Sequence, residues 1–158
     1  NDEGLIADPD VRALMGFRAK VDALFSRPVR GWKATAEPES EAFSASRTVD
    51  RKDDTFYGAP AGSASATIEL RRREPALVTL VRIKEPIALG QRVRRWKLEA
   101  EIGGAWKELA SGTTLGARRL LRFDPVETRA LRLKIEDARA EPLIATIEAF
   151  APPNAPVR

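Results

Sequence analysis

The residues with the most chemistry to offer lie in one polar run, Arg51-Lys52-Asp53-Asp54-Thr55-Phe56-Tyr57-Gly58-Ala59-Pro60, which crowds side-chain oxygens into a turn-rich stretch. Such a run suits a hard cation, which takes oxygen ligands; read plainly, it is a solvated acidic turn. Absences narrow the choice further, because the 158 residues include no His and no Cys. Disulfides, thiolate chemistry, Cys/His zinc sites and His-based triads are excluded within this chain. Catalysis would have to rest on carboxylate, Lys or Tyr chemistry. The aromatic residues Trp32, Phe56, Tyr57, Trp96 and Trp106 offer a second kind of chemistry, since ring faces stack on the apolar faces of pyranose sugars.

Composition sets the frame for these groups. At 43% apolar and 32% charged, the chain can bury the core of one ordinary domain. No apolar run approaches the roughly 18 residues that suggest a membrane span. The opening Asn1-Asp2-Glu3-Gly4 lacks the basic and apolar regions of a signal peptide and reads as a cut within a longer protein, which leaves the compartment open. The net charge of +4 is diffuse, with arginines interleaved among glutamates, and argues against a nucleic-acid partner.

The elements that must position the candidate groups follow from periodicity. Residues 4 to 25 predict one helix, with Asp8 as N-cap, Pro9 at N1 and Asp10 in the first turn. Val11, Leu14, Phe17, Val21, Leu24 and Phe25 recur at three and four, giving an apolar face that needs a partner. Arg27-Pro28 ends it. Short strands are then expected at 29–36, 66–70, 77–84, 93–102, 105–109, 115–123, 130–135 and 144–150. Gly103-Gly104 marks a hairpin, and Arg71-Arg72-Arg73-Glu74 reads as a solvated turn between strands. Trp96 falls in phase with Leu98 and Ile102 and belongs to the core. Gly90, Gly112 and Gly116 mark positive φ or close backbone approach. The expected architecture is all-β, a β-sandwich over 29–151 preceded by one amphipathic helix in a linker region 1–28, with a disordered tail at 152–158.

Three separated motifs carry a resemblance. Leu89-Gly90-Gln91-Arg92-Val93, the run Gly112-Thr113-Thr114-Leu115-Gly116-Ala117-Arg118-Arg119, and Ala138-Arg139-Ala140-Glu141-Pro142-Leu143-Ile144 resemble the C-terminal domain of bacterial α-L-fucosidases of glycoside hydrolase family 29. Gly4-Leu5-Ile6 before Asp8-Pro9-Asp10-Val11 resembles the join that leads from the catalytic barrel of those enzymes into a helix. The resemblance implies a discoidin-like (galactose-binding-like, coagulation-factor type C) jelly-roll sandwich. It also implies a parent whose catalytic carboxylates belong to a barrel outside this fragment, so that the fragment itself is not an enzyme. A periplasmic or secreted location is implied for the parent.

The same resemblance assigns candidate roles. Thr48-Val49-Asp50-Arg51-Lys52-Asp53-Asp54-Thr55 resembles the discoidin loop that holds a structural calcium, with Asp50, Asp53, Thr55 and the late Glu148 as candidate ligands. Arg51 and Lys52 depart from that pattern, adding positive charge and removing the expected glycine. No cofactor is otherwise required. Sugar sites in such sandwiches lie on end loops, which favours Trp32 and Tyr57 as a platform, with Trp106 either platform or core. Gln91, Arg92, Arg118 and Arg119 are candidates for contact with the barrel, or for ion pairs with Glu85, Glu99 or Asp124 inside the sandwich. The expected function is a non-catalytic accessory domain of an α-L-fucosidase packed on the barrel of the same parent chain. Two alternatives stand beside it, a carbohydrate-binding module that targets the enzyme to glycans and a free-standing adhesive discoidin domain. Neither a membrane nor a nucleic acid is expected as partner.

Overall fold

The computed structural model describes residues 7–154; the Gly4-Leu5-Ile6 join lies outside them. Helix α1 spans Asp8–Phe25, with strands β1 (Pro28–Val29), β2 (Lys33–Glu37), β3 (Tyr57–Gly58), β4 (Ala66–Lys84), β5 (Val93–Ile102), β6 (Ala105–Gly112), β7 (Arg119–Ala138), β8 (Leu143–Ile144) and β9 (Thr146–Phe150) following it. The helix starts one residue away from expectation. Ala7 is the N-cap and makes no side-chain cap bond, while Asp8 lies inside the first turn, where its charge still favours the helix dipole. No described helix is long and apolar enough to cross a membrane.

The main sheet runs β1-β9-β4-β7-β5-β6, with β2 also on β4, and β3 pairs with β8 in a two-stranded sheet. Two expected strand pairs prove to be single long strands. β4 joins the segments expected at 66–70 and 77–84, and β7 joins those expected at 115–123 and 130–135, starting at Arg119. The Arg71–Glu74 segment is therefore strand, and the register slips between Arg71 and Ala76 and between Val78 and Leu80. Bulges of this kind bend and twist a sheet. The early half of β4 pairs with β2 and the late half of β7, whereas its late half pairs with β9 and the early half of β7. One bent sheet thus supplies both layers of the β-sandwich.

The core lies between those layers. Ile68, Leu70, Trp96, Leu98, Leu131, Leu133 and Ile135 come from one half, and Val81, Ile83, Leu121, Ile147 and Ala149 from the other. The first set alternates along its strands with polar residues, which is how the pleat sorts side chains to two faces. Gly103 and Gly104 turn the β5–β6 hairpin at φ 61° and 79°. Gly112 answers a different demand, because a Cβ there would lie 2.8 Å from the Trp96 ring.

The helix is the exception to this burial. No residue of α1 is fully buried. Only its last turns meet the sandwich, where Phe25 packs edge-on against Phe150 with ring centroids 5.1 Å apart.

Candidate functional site

The loop that follows the short 3-10 turn Ala45–Val49 is closed from within. Asp50 accepts the Lys52 backbone N–H at 2.9 Å through one oxygen and the Thr55 hydroxyl at 2.8 Å through the other. Arg51 takes φ 65°, the left-handed conformation that favours glycine. Asp53 accepts a hydrogen bond from Lys84 Nζ at 3.0 Å, and that contact above all holds its carboxyl below the usual range. Glu148, on β9, sits directly across from Arg82 on β4 and accepts its Nε at 2.8 Å.

Of the calcium candidates, Asp50 and Thr55 are brought together, while Asp53 and Glu148 are each held by a cationic side chain. Among the described residues no group of three or more carboxylates gathers where a metal ion would sit. A calcium ion takes six to eight oxygens. Here it would have to displace Lys84 and Arg82 to reach two of its carboxylates, so the residues present do not fit the ion.

The aromatic candidates also separate. Tyr57 is fully buried, and its hydroxyl donates to the Pro38 carbonyl at 2.6 Å. Burial first, then the charges of Glu39 and Glu37, push its phenol up to about 12. Its ring has no free face for a sugar, a correction to the expected platform: a Tyr in a polar loop has been drawn into the core. Trp106 lies on β6 with the Arg132 guanidinium 4.1 Å and that of Arg71 5.8 Å from its ring centre. Those arginines are fixed in turn by Glu99 and by Glu69 and Glu101. Trp32 follows Gly31 (φ 81°) and is half-buried, with Arg72 5.6 Å from its ring centre. It lines a cleft of about 360 Å³ with Arg30, Val49, Arg51 and Ile147, and its buried indole N–H has no hydrogen-bond partner.

Gln91, Arg92, Arg118 and Arg119 do share one end of the sandwich, and the sequence reading missed what gathers them. Glu85 is buried and carries three backbone amides, Arg92 N–H at 2.8 Å and Val93 N–H at 2.9 Å on one oxygen and Gly116 N–H at 2.7 Å on the other. Its carboxylate pins the loop before β5 to the loop before β7. It therefore serves main chain, where an arginine side chain was one expected partner. Arg92 turns back to the Glu141 carbonyl at 3.0 Å. Arg119 lies over Trp96, 5.8 Å from its ring centre. Gln91, Arg118 and Arg119 are exposed, as are Ile87, Leu89 and Leu120 at the same end.

The largest apolar exposure belongs to α1. Leu14, Met15 and Phe17 are 56%, 68% and 67% exposed. Leu14 and Phe17 continue the helix face on which Val21, Leu24 and Phe25 are half-buried. The stripe that seats the last turns on the sandwich thus runs on uncovered.

No protein-family profile matches the chain. Alpha-L-fucosidase 1 of Arabidopsis thaliana is 29% identical over 153 residues, which cover 92% of this chain and 30% of that protein. The chain is similar to α-L-fucosidases over nearly all of its own length. It spans about a third of the length of the curated fucosidases it matches. A GH29 fucosidase of Ruminococcus gnavus, solved with fucose, shares its fold at TM-score 0.81 and 23% identity, over 96% of this chain and 32% of that one. The family 32 carbohydrate-binding module of C. perfringens NanJ, solved with galactose, superposes at TM-score 0.68 and 16% identity, over 75% of this chain and 93% of the module. The fucosidase-related sandwich is thus the discoidin-like fold of such modules, with a helix added in front.

Proposed function

We propose that this chain is the non-catalytic C-terminal accessory domain of an α-L-fucosidase, docked on the catalytic part of the same protein through α1 and the exposed end at Gln91, Arg118 and Arg119. The observation that carries this reading is the uncovered stripe of α1. Soluble proteins bury such faces, and the fucosidase relatives have two further thirds of chain to cover this one. The Trp32 cleft supports a non-catalytic role. Glu148, the one carboxylate that lines the Trp32 cleft, is engaged by Arg82, whereas glycoside hydrolysis needs a working pair of carboxyl groups across a substrate. The Trp32 cleft favours a second reading, glycan contact by the same domain.

The test is to mix this chain with the separately produced N-terminal remainder of its parent and measure association by sedimentation. Binding is expected, and Leu14→Asp with Phe17→Asp should weaken it about a hundredfold, as the loss of about 3 kcal/mol implies. Self-association of this chain in place of that complex would overturn the reading. Titration with fucose, galactose and fucosylated oligosaccharides checks the second reading, for which a micromolar dissociation constant would identify a true binding module.

A further inference from the structure

Arg82 stands where three features of the molecule meet. Its Nε and Nη2 both donate to one oxygen of Glu148, and the two side chains are only 21% and 20% exposed. Its guanidinium also lies 5.3 Å from the ring centre of Phe25, the last residue of α1, and 5.5 Å from that of Phe150. A charged planar group held by a carboxylate and set against two rings is a specific arrangement, because guanidinium both forks to carboxylates and stacks on aromatics. Beyond Phe25 the chain is tied down by the Ala151 N–H donating to the Arg27 carbonyl at 2.9 Å and by the pairing of Pro28 with Phe150. These ties fix where the helix leaves the sheet. Its direction is set by what the last turn rests against: Phe25 meets Phe150 and Arg82, and Leu24 lines a cleft with Phe123 and Pro152.

We propose that Arg82 is a positioning residue of the interdomain helix, acting through the Phe25 ring while held in place by Glu148, the carboxylate that the fold's resemblance offers to calcium. Two residues along the strand, Lys84 likewise pairs with Asp53, and Arg82 and Arg118 add further positive field at that carboxyl. The domain thus carries its own cations at this corner, and its folding owes nothing to a divalent ion. The importance of the helix direction rests on the docking reading above, but the device itself belongs to this chain alone.

Both halves are measurable without a partner. The chain has no native cysteine, so Ala13→Cys on α1 and Lys107→Cys on β6 can be spin-labelled specifically, and the distance between them read by pulsed electron resonance. A narrow distribution is expected, broadened by Arg82→Ala and by Glu148→Ala, and narrowed again when Arg82→Glu and Glu148→Arg are combined. That rescue separates positioning from a loss of folding in either single variant. A narrow distribution that persists in folded Arg82→Ala would overturn the proposal. So would a saturable rise of several degrees in melting temperature on adding millimolar calcium against EDTA, the signature of an ion bound to the folded state; equal melting temperatures are expected. If the distances behave as described and no complex forms with the parent's remainder, the docking reading fails while this one stands.

Discussion

Replacing Glu85 should be the most damaging single polar change in the sandwich. Its two oxygens receive three backbone amides from two loops, at 2.7–2.9 Å, and its own N–H donates to the Gly116 carbonyl at 2.9 Å. Glu85→Ala leaves the backbone bond but strips all three amides of their acceptor. An amide left unsatisfied in the interior costs about 1–3 kcal/mol. Val93 is buried and bears the full penalty, whereas Arg92 and Gly116 are half-buried and regain some water. The sum is about 4 kcal/mol, which for a domain of this length lowers Tm by about 8–16 °C. Glu85→Gln is more discriminating. One oxygen still accepts from Arg92 and Val93, but an NH₂ group now faces the Gly116 N–H, donor against donor. About half of the loss is expected, near 2 kcal/mol. Calorimetry gives the melting temperatures, and amide exchange should speed up selectively at Arg92, Val93 and Gly116. Wild-type melting of Glu85→Gln, or Glu85→Ala within about 2 °C of wild type, would refute the idea that this carboxylate joins the loops.

Two further outcomes follow from the core. Gly112→Ala should cost about 1–3 kcal/mol in chemical denaturation, because the added methyl meets the rigid Trp96 ring at 2.8 Å; an unchanged midpoint would mean that the indole can move aside. The single tyrosine allows a clean titration. With its folded pKa pushed from 10.0 to about 12, Tyr57 favours the fold while neutral. That contribution is complete below the unfolded value and is lost as pH rises from 10.0 toward 12. Near-ultraviolet absorbance should show phenolate forming late and together with unfolding, and formation near the ordinary value in the folded protein would contradict the buried ring.

Periodicity exposed much of this fold, and its failures have physical causes. β5 alternates from Trp96 to Ala100, and its bounds Val93–Ile102 and its buried Trp96 are both legible in the sequence. β4 and β7 were not legible as single strands, because Arg71-Arg72-Arg73-Glu74 and Asp124-Pro125 have turn composition. They bend through bulges, where Thr79 donates to the Phe123 carbonyl and Thr128 to the Glu101 carbonyl, both at 2.8 Å. Such long-range bonds leave no local trace. The glycines of two of the three family-like motifs were readable for their constraint, with Gly90 and Gly116 at φ 88° and 70° and Gly112 against a ring. The roles of Glu85 and Arg82 were not, since their partners lie up to 66 residues away. Tyr57 misled because its polar neighbours suggest a surface loop, while its hydroxyl reaches Pro38 from inside.

The central claim is that α1 is covered by the catalytic part of the parent protein. Hydrogen exchange of residues 8–20 tests it most directly, compared between this chain alone and the intact parent. Rapid exchange is expected in the isolated chain and marked protection in the parent, centred on Leu14 and Phe17. Equal exchange in both would contradict it.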